Sequence, residues 1–320
     1  MIDNHKSIGG YFELELSQGS EYHSSAIALN TGRNCLEYIL LVRGYKKLYL
    51  PYYSCEVLLE PMMKLGIEHV FYHIDERLEI DGNIHLGDGE ALLYINYFGL
   101  KQDYVETLAT KFGKRLVIDN TQAFYAQPVQ GIDTFYSCRK FFGVSDGAYL
   151  YCDQPLDMEL EQDRSWERMG YLLKRIDVSP EEAYVDFCGH EASLRNNPIK
   201  KMSQLTHRIM ASIDYALVKT KRRENYMLLE SALSETNGIS LSLSNGAVPM
   251  VYPYLTYNPE LRQHLIDNKI YVATYWPNVE NMGGQNSVGV VLSKNLIPLP
   301  IDQRYGSEEE NRIIKFIINL

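Results

Sequence analysis

Two short stretches of the sequence carry the side chains best suited to covalent chemistry. Residues 117–122 read Val-Ile-Asp-Asn-Thr-Gln and place Asp119 at the end of an apolar run, and residues 137–140 read Ser-Cys-Arg-Lys and end in Lys140. A lysine amine forms a Schiff base with pyridoxal phosphate, and that cofactor also needs a carboxylate that keeps its pyridine nitrogen protonated. The two stretches favour this chemistry, with Lys140 as the attachment point and Asp119 beside the ring nitrogen.

The neighbours of Lys140 strengthen its candidacy. The aromatic residues around it would remove water from the ammonium group and lower its pKa, and a neutral amine is the form that attacks an aldehyde. Arg139 cannot deprotonate, so it cannot form the Schiff base, but it can pair with a substrate or cofactor anion. The alternative for any single lysine is an exposed surface position. The aromatic neighbours are Phe135, Tyr136, Phe141 and Phe142.

Asp119 and Gln122 are predicted to contact the cofactor ring. In open α/β sheets the ligand crevice lies at the carboxyl ends of the strands, which is where the sequence places Asp119. Its charge would hold the proton on the ring nitrogen, and Gln122 would contact the phenolic oxygen of the ring. A turn or a helix cap is the alternative role of such an aspartate.

A predicted helix N-terminus supplies the candidate phosphate site. Thr31 is a plausible N-cap, Gly32 permits close approach of the backbone, and Arg33 follows in the first turn. Free amides and the helix dipole favour an anion there, and the hydroxyls of Thr31 and Ser137 would add donors. Helix capping alone explains the motif equally simply.

Several other kinds of site are not indicated. The eight histidines are scattered without a metal-binding pair, so we expect no metal site, and the sequence contains neither a nucleophile elbow nor a Walker loop. The net charge of −10 argues against a nucleic-acid partner. A short basic run at residues 219–223 most simply forms a solvated helix face, with an anionic ligand as the alternative.

The elements around these residues predict an α/β layer with a largely parallel sheet. From about residue 31 to 152, amphipathic helices alternate with short apolar strands, and several helices end at glycines. Predicted helices at 34–42, 54–65 and 103–112 alternate with predicted strands at 47–50, 70–73, 91–96, 115–119 and 149–152.

The second half of the chain predicts a less regular α+β unit. We expect surface loops and short helices at 154–184, and one long helix at 202–225 that bridges two lobes. Further predicted elements are strands at 239–243, 250–254 and 271–274 and helices at 260–268 and 307–318.

Composition indicates an ordinary globular protein. Its 320 residues are 45% hydrophobic and 22% charged, which is enough for a substantial core. The five cysteines are odd in number and lack metal-binding spacing, which favours the reducing cytoplasm. No apolar run approaches the ~20 residues of a membrane span, and the N-terminus has no signal-peptide core, so we expect a cytoplasmic protein without a membrane partner.

Five segments, in order along the chain, resemble the DegT/DnrJ/EryC1/StrS sugar aminotransferases, which are fold-type-I pyridoxal-phosphate enzymes. Their order makes the resemblance specific. The similar segments are 31–34, which is like the Ser-Gly-Thr phosphate turn of the family, 51–54, like its Pro-x-x-Thr segment, 96–99 followed by Asp103, 119–122, and 140–148 with Asp146 in an acidic position.

The resemblance implies further roles at the site. The family places an aromatic residue on the cofactor ring where this chain has Cys55, and Tyr53 is the candidate substitute. The segment from Ser137 to Lys140 is two residues shorter than the corresponding family segment. A family asparagine that reaches into the partner subunit has only a loose counterpart in Asn196 or Asn197.

The resemblance also implies an architecture and an activity. The fold would be a three-layer pyridoxal-phosphate-dependent transferase fold, with a large domain at 1–214, a smaller α+β domain at 215–320, and a homodimer. The implied activity is transfer of an amino group, with glutamate as the expected donor, to a nucleotide-linked keto-sugar in surface polysaccharide biosynthesis. The alternatives are a sugar dehydratase, which in related proteins has histidine in place of the lysine, and a non-catalytic sugar-nucleotide-binding relative.

Overall fold

A mostly parallel seven-stranded sheet forms the centre of the protein. The computed structural model describes residues 8–282 and 287–319. The strand order is β1-β7-β6-β5-β4-β2-β3; β7 runs antiparallel to β1 and β6, and the pairs from β6 to β3 are parallel. These strands are β1 Ile27–Leu29, β2 Lys47–Pro51, β3 Glu68–Tyr72, β4 Glu90–Ile95, β5 Leu116–Asp119, β6 Asp133–Ser137 and β7 Ala148–Tyr151.

The sheet is the middle layer of the fold. Every residue of β5 and β6 is buried, as expected for parallel strands that are covered on both faces. The helices of the first half connect these strands: α1 Gly32–Arg43 packs on β6 and β7, α2 Leu59–Leu65 packs on α1, and α3 Gln102–Phe112 packs on β5. The predicted three-layer α/β architecture with a mostly parallel sheet is confirmed.

The second half of the chain adds helices and a two-stranded antiparallel sheet. Strands β8 Val251–Leu255 and β9 Leu296–Pro300 form that sheet. The helices are α4 Gly170–Asp177, α5 Pro180–Ser193, α6 Gln204–Ala211, α7 Tyr215–Leu233, α8 Leu261–Asp267, α9 Val279–Met282, α10 Val288–Asn295 and α11 Ser307–Ile318. The domain boundary after residue 214 stays a prediction. No helix of the described residues is both long enough and apolar enough to cross a membrane.

The prediction of one helix at 202–225 is wrong, because the chain breaks between α6 and α7. Ser212 ends α6, and the carboxylate of Asp214 then caps α7 by accepting a hydrogen bond from the Leu217 amide at 2.9 Å. An aspartate side chain that satisfies a free amide begins a new helix more readily than it continues an old one. The hydrophobic period ran through this break and concealed it.

Two predicted strands are also wrong. Residues 239–243 and 271–274 form no strand in the structure. Their carbonyls accept side-chain hydrogen bonds instead: the Leu241 carbonyl from Tyr226, and the Ala273 carbonyl from Arg262. The partner of β8 is β9, whose two prolines made it a poor strand candidate in sequence.

One buried carboxyl in α11 predicts a measurable pH effect on stability. Glu310 is fully buried, and neither of its carboxyl oxygens has a hydrogen-bond partner among the described residues. Burial, together with the charges of Asp302 and Glu309, raises the pKa of Glu310 to about 8. The folded protein therefore keeps a proton there that the unfolded chain releases near pH 4.5, and this contribution to stability is lost as the pH rises to about 8.

We expect Glu310→Gln to remove this pH dependence. Relative to the unsubstituted protein, the variant should gain roughly 2–4 kcal/mol of unfolding free energy between pH 5 and pH 8.5, because glutamine has no charge to bury. Urea unfolding at both pH values measures the difference. Glu308→Gln is the matched control. Glu308 lies two residues before Glu310 in the same helix and is exposed, so this variant should show no such gain. A gain for Glu310→Gln that is equal at the two pH values would contradict the prediction.

Candidate active site

Lys140 lies close to the residues that follow Asp119, at the carboxyl end of the sheet. Strands β5 and β6 are parallel neighbours, so the residues that follow them meet at the same edge. The Nζ atom of Lys140 donates a hydrogen bond to Thr121 Oγ1 at 3.0 Å, and the Asp119 carboxylate accepts one from the Thr121 amide at 2.8 Å. Thr121 thus links the two residues that the sequence singled out.

Desolvation is the largest influence on the pKa values of Lys140 and Asp119. The Lys140 side chain lines a cavity and is exposed to it. Partial desolvation by the neighbouring protein lowers the pKa of its ammonium, and the charge of Asp119 opposes the shift. Burial raises the pKa of the Asp119 carboxyl, and Lys140 and Thr121 partly offset that effect. The lysine is thereby more easily converted to the neutral amine that acts as a nucleophile.

Gln122 presents an unsatisfied donor. Its side chain is fully buried, and its Oε1 atom accepts a hydrogen bond from the Phe98 amide at 2.9 Å, which fixes the orientation of the amide group. Its Nε2 atom has no partner among the described residues. A buried amide donor without a partner is costly in a native protein and commonly marks a position where a ligand binds.

The N-terminus of α1 lies against the same group. Thr31 caps the helix as predicted, since its Oγ1 atom accepts a hydrogen bond from the Asn34 amide at 3.2 Å. A Cβ atom built on Gly32 would lie 3.2 Å from Thr121 Cγ2, so a larger residue would crowd the space between the helix and Thr121. The predicted phosphate turn therefore lies next to the hydrogen-bond partner of Lys140.

Arg33 and the Asn196–Asn197 pair are tied to this helix within the same chain. Arg33 Nη1 donates to Glu60 at 2.6 Å, and the Asn196 amide donates to the same carboxylate at 2.7 Å. The Asn197 carbonyl accepts a hydrogen bond from the Asn34 side chain at 3.0 Å. Both candidate asparagines therefore lie beside the α1 N-terminus.

Arg139 adds a second arginine near Arg33. It forms a salt bridge with Glu191 of α5, and its Nε atom has no partner among the described residues. Burial lowers its pKa, and the positive charge of Arg33 acts in the same direction. Each of the two arginines has a carboxylate partner in the structure, Glu60 for Arg33 and Glu191 for Arg139.

Asp146 stabilises the segments around the site. Among the described residues it forms no hydrogen bond with Lys140. Its carboxylate accepts hydrogen bonds from the amide and hydroxyl of Ser203, both at 2.8 Å, and from the hydroxyl of Thr206. It therefore ties the start of α6 to the turn before β7. Gly147, next in sequence, has a φ of +113°, and a Cβ atom there would lie 2.8 Å from Thr206 Cγ2, so only glycine fits.

A large cavity opens beside Lys140. Its volume is about 1250 Å³, and its wall combines the loop at 139–144, helices α4 and α5, and segments from the C-terminal third of the chain. Five cationic residues of that third and of α4 contribute to the described wall, namely Arg175, Arg222, Lys269, Arg304 and Arg312. The cavity is large enough for a sizeable polar substrate that reaches Lys140 at one end.

Comparison with solved structures decides the fold. DesV from S. venezuelae superposes with a TM-score of 0.65 at 16% identity, covering 92% of this chain and 84% of that chain. A DegT DnrJ EryC1 StrS aminotransferase from Brucella abortus gives 0.62 at 14% identity, with 92% and 85% covered, and the sugar aminotransferase CalS13 from Micromonospora echinospora gives 0.60 at 12%, with 92% and 87% covered. The chain has the sugar aminotransferase fold. No family model and no curated protein matches the sequence itself.

Cys55 and Tyr53 are the two residues that the resemblance offered for contact with the cofactor ring. Cys55 is half-buried and lies close enough to Lys140 to influence its pKa. Tyr53 is fully buried, and its ring packs against Tyr97 and Trp276 with centroid distances of 5.6 and 4.9 Å. Other aromatic rings therefore occupy the surroundings of Tyr53, and its cofactor contact stays a prediction.

Ser137 ends β6, where it pairs with Ala148 of β7, and it is 9% exposed. The strand that carries it was not predicted as such, because its sequence, Asp-Thr-Phe-Tyr-Ser, has a charged first residue and no apolar run. In the structure that charge is neutralised: Asp133 accepts two hydrogen bonds from Arg43, both at 2.7 Å. The phosphate contact of Ser137 stays a prediction.

The structure adds two residues that sequence reasoning missed. Thr121 stands between Asp119 and Gln122 in the motif, but only the fold shows that its hydroxyl meets Lys140. Arg222 belongs to the basic run at 219–223, which was predicted to be solvated. That prediction is wrong for Arg222, which is 2% exposed and lines the cavity. Its position on the inward face of α7, close to Tyr226, was the available signal.

Proposed function

We propose that this protein is a pyridoxal-phosphate-dependent aminotransferase that acts on a nucleotide-linked keto-sugar. The observation that carries the proposal is an amine of lowered pKa, Lys140, which lines a large cavity and is electrostatically coupled to a buried carboxylate, Asp119. Titratable groups with shifted pKa values beside a cavity are typical of active sites. The fold, shared with sugar aminotransferases, supports the same conclusion.

The residues present fit the cofactor. The unpartnered Nε2 of Gln122 suits an acceptor such as the phenolic oxygen of the ring, and the N-terminus of α1, where Gly32 packs closely against Thr121, suits a phosphate. The carboxylate of Asp119 suits a protonated ring nitrogen, and Lys140 suits the aldehyde. Thr31, Arg33 and Ser137 are proposed phosphate-side residues.

When bound, pyridoxal phosphate supplies an electron sink that stabilises negative charge at the carbon next to the transferred nitrogen. Lys140 would hold the cofactor covalently and, once its amine is released, would move the proton at that carbon. Asp119 would maintain the charge of the ring nitrogen, and Gln122 would orient the ring. The surrounding protein would exclude water from the lysine and so keep its amine nucleophilic.

The overall reaction would be a balanced exchange of amine and oxo groups. An amino acid gives up its amino group and its α-hydrogen and leaves as a 2-oxo acid; the keto-sugar loses its carbonyl oxygen and gains the amino group and a hydrogen. Glutamate is the proposed donor. No external oxidant or reductant is needed, because each half of the exchange reverses the redox change of the other.

The charge of the cavity supports a nucleotide-linked substrate. Arginines and lysines on its wall would pair with the two phosphates that join a sugar to a nucleoside. Few carboxylates of the protein itself would compete with a bound phosphate for three of these cations. Arg175 and Arg312 form no salt bridge with a described residue, and Lys269 pairs with Glu181 at 3.5 Å. We also propose a role in surface polysaccharide biosynthesis, which the family resemblance implies, and a cytoplasmic location.

A homodimer is part of the proposal. Helices α4 and α5 and the turn between them expose several large apolar side chains, which is unusual for a surface that faces only water. The exposed residues are Leu173, Ile176, Val178, Tyr184 and Val185. A second copy of the chain that covers this face would lie next to Tyr184, which also lines the cavity.

The test is a pair of half-reactions followed by absorbance. Purified protein is mixed with pyridoxal 5'-phosphate, then with L-glutamate, and finally with a nucleoside-diphosphate keto-sugar. We expect a spectral change on cofactor binding, conversion to the amine form with glutamate, and recovery of the first spectrum with the keto-sugar. Cofactor binding without conversion by any amino acid would favour a non-catalytic relative, and no spectral change on cofactor addition would overturn the proposal.

A further inference from the structure

A buried arginine without a carboxylate partner lies at the wall of the cavity. Arg222 is 2% exposed, and none of the salt bridges between described residues includes it. Burial lowers its pKa to about 10, so it remains charged at neutral pH. Burying an unpaired charge is costly, so an arginine in this environment favours the binding of an anion.

The hydrogen bonds of Arg222 leave one edge of its guanidinium group available. Nε donates to Gln303 Oε1 at 3.1 Å, and Nη1 donates to the Met250 carbonyl at 2.9 Å and to the Pro249 carbonyl at 3.5 Å. No hydrogen bond joins Nη2 to a described residue. Asp302 is the carboxylate whose charge acts on the pKa of Arg222, and it accepts hydrogen bonds of 2.7 and 2.8 Å from Arg304 instead.

The position of Arg222 connects it to Lys140. Its Cζ atom lies 4.5 Å from the ring centroid of Phe141, the residue that follows Lys140. Gln303 bridges the two, because it accepts from Arg222 and donates through Nε2 to the Phe141 carbonyl at 2.8 Å. An arginine fixed in this way packs against the residue that follows the reactive lysine, and both Arg222 and Lys140 line the same cavity.

We propose that Arg222 binds the carboxylate of the amino-acid donor. The inference rests on the proposed function, since amino transfer requires an amino acid whose nitrogen reaches the Lys140 position while its carboxylate is held nearby. A guanidinium group binds carboxylates through directed, charge-assisted hydrogen bonds that an ammonium group does not reproduce. Arg222 is thus a residue for donor recognition, and Gln303 is its positioning residue.

The experiment measures carboxylate binding by the cofactor-free protein. Isothermal titration with glutarate, which has carboxylates but no amine, reports binding without any turnover. We expect Arg222→Lys to raise the Kd for glutarate at least 10-fold, because the charge remains and the planar fork is lost. Binding of inorganic phosphate, measured in parallel, should change less than 3-fold.

Arg223→Lys is the matched control. Arg223 is the next residue of α7, and it too donates to a backbone carbonyl of the segment before β8, that of Ala247. The Kd for glutarate should be unchanged in this variant. An unchanged glutarate Kd in folded Arg222→Lys overturns the proposal, and so does a loss confined to phosphate.

A second variant covers the case in which Arg222→Lys fails to fold. Gln303→Met removes the acceptor that orients Arg222 and leaves the arginine in place, so the Kd for glutarate should rise about 3-fold or more. An unchanged Kd there counts against the proposal. Failure of the proposed function is recognised separately, because it appears as the absence of a spectral change with pyridoxal 5'-phosphate and L-glutamate, whereas glutarate binding needs no cofactor.

Discussion

Replacing Lys140 with methionine should abolish covalent cofactor attachment and lower amino transfer by roughly 10³–10⁴-fold or more. The substitution removes both the amine that holds the cofactor and the group that moves the proton. Folding should be retained, since the side chain is exposed to the cavity and its one hydrogen bond to a described residue is the bond to Thr121. Turnover, the absorbance of the protein with pyridoxal 5'-phosphate, and the thermal midpoint measure the three effects.

The control for this variant is Lys114→Met. Lys114 is 72% exposed and pairs with Asp153 at 3.4 Å on the surface, so its loss should leave the spectrum and the turnover unchanged. An unchanged cofactor spectrum in Lys140→Met would contradict the assignment of Lys140. A spectrum that is lost in both variants would show that the change reports surface lysines and not the site.

Asp119→Asn should lower turnover by roughly 10²–10³-fold, because the amide cannot hold a positive charge on the cofactor ring. The substitution has a second expected effect, which does not depend on turnover. The charge of Asp119 raises the pKa of Lys140 against the larger effect of burial, so its removal should lower that pKa further. The rate of cofactor attachment, which follows the fraction of neutral amine, should therefore reach its half-maximum at a lower pH in the variant.

Stopped-flow absorbance across a pH series measures that midpoint. Asp157→Asn, which alters an exposed carboxylate, is the control and should leave the midpoint where it is. If the midpoint of Asp119→Asn equals that of the unsubstituted protein, the two side chains are not electrostatically coupled. If it moves to higher pH, the sign of the coupling is wrong and Asp119 is not the group that favours the charged lysine.

The fold could be predicted in its first half because local signals there agree with one another. Helices α1 and α3 were found from their hydrophobic period and their terminal glycines, and β5 from its continuous apolar run. The second half could not be predicted as well, since its elements depend on distant partners. Strand β9 exists because β8 lies beside it, and the break between α6 and α7 exists because Asp214 caps the second helix.

The candidate site shows the same division. Asp119, Gln122 and Lys140 could be selected from sequence because a few residue types perform this chemistry and their order along the chain is distinctive. The burial of Arg222 at the cavity wall could not be predicted from the sequence, since a basic run in a helix has the same pattern whether its members face water or a cavity. Burial of Arg222 depends on Phe141, Met250 and Gln303, which lie 81, 28 and 81 positions away.

Residue types and short spacings were enough to select the residues able to form a Schiff base, to hold a ring nitrogen charged and to begin a phosphate-binding helix, because these capacities belong to side chains and their neighbours along the chain. How strongly these residues act depends on the folded protein. The shifted pKa values of Lys140 and Asp119 arise from desolvation. The side-chain amide of Gln122 is oriented by the hydrogen bond from the distant Phe98 amide to its Oε1 atom, which leaves Nε2 without a partner among the described residues. The cavity is formed by segments far apart in the chain. Desolvation and shape are properties of packed neighbours, and the chain acquires them only when it folds.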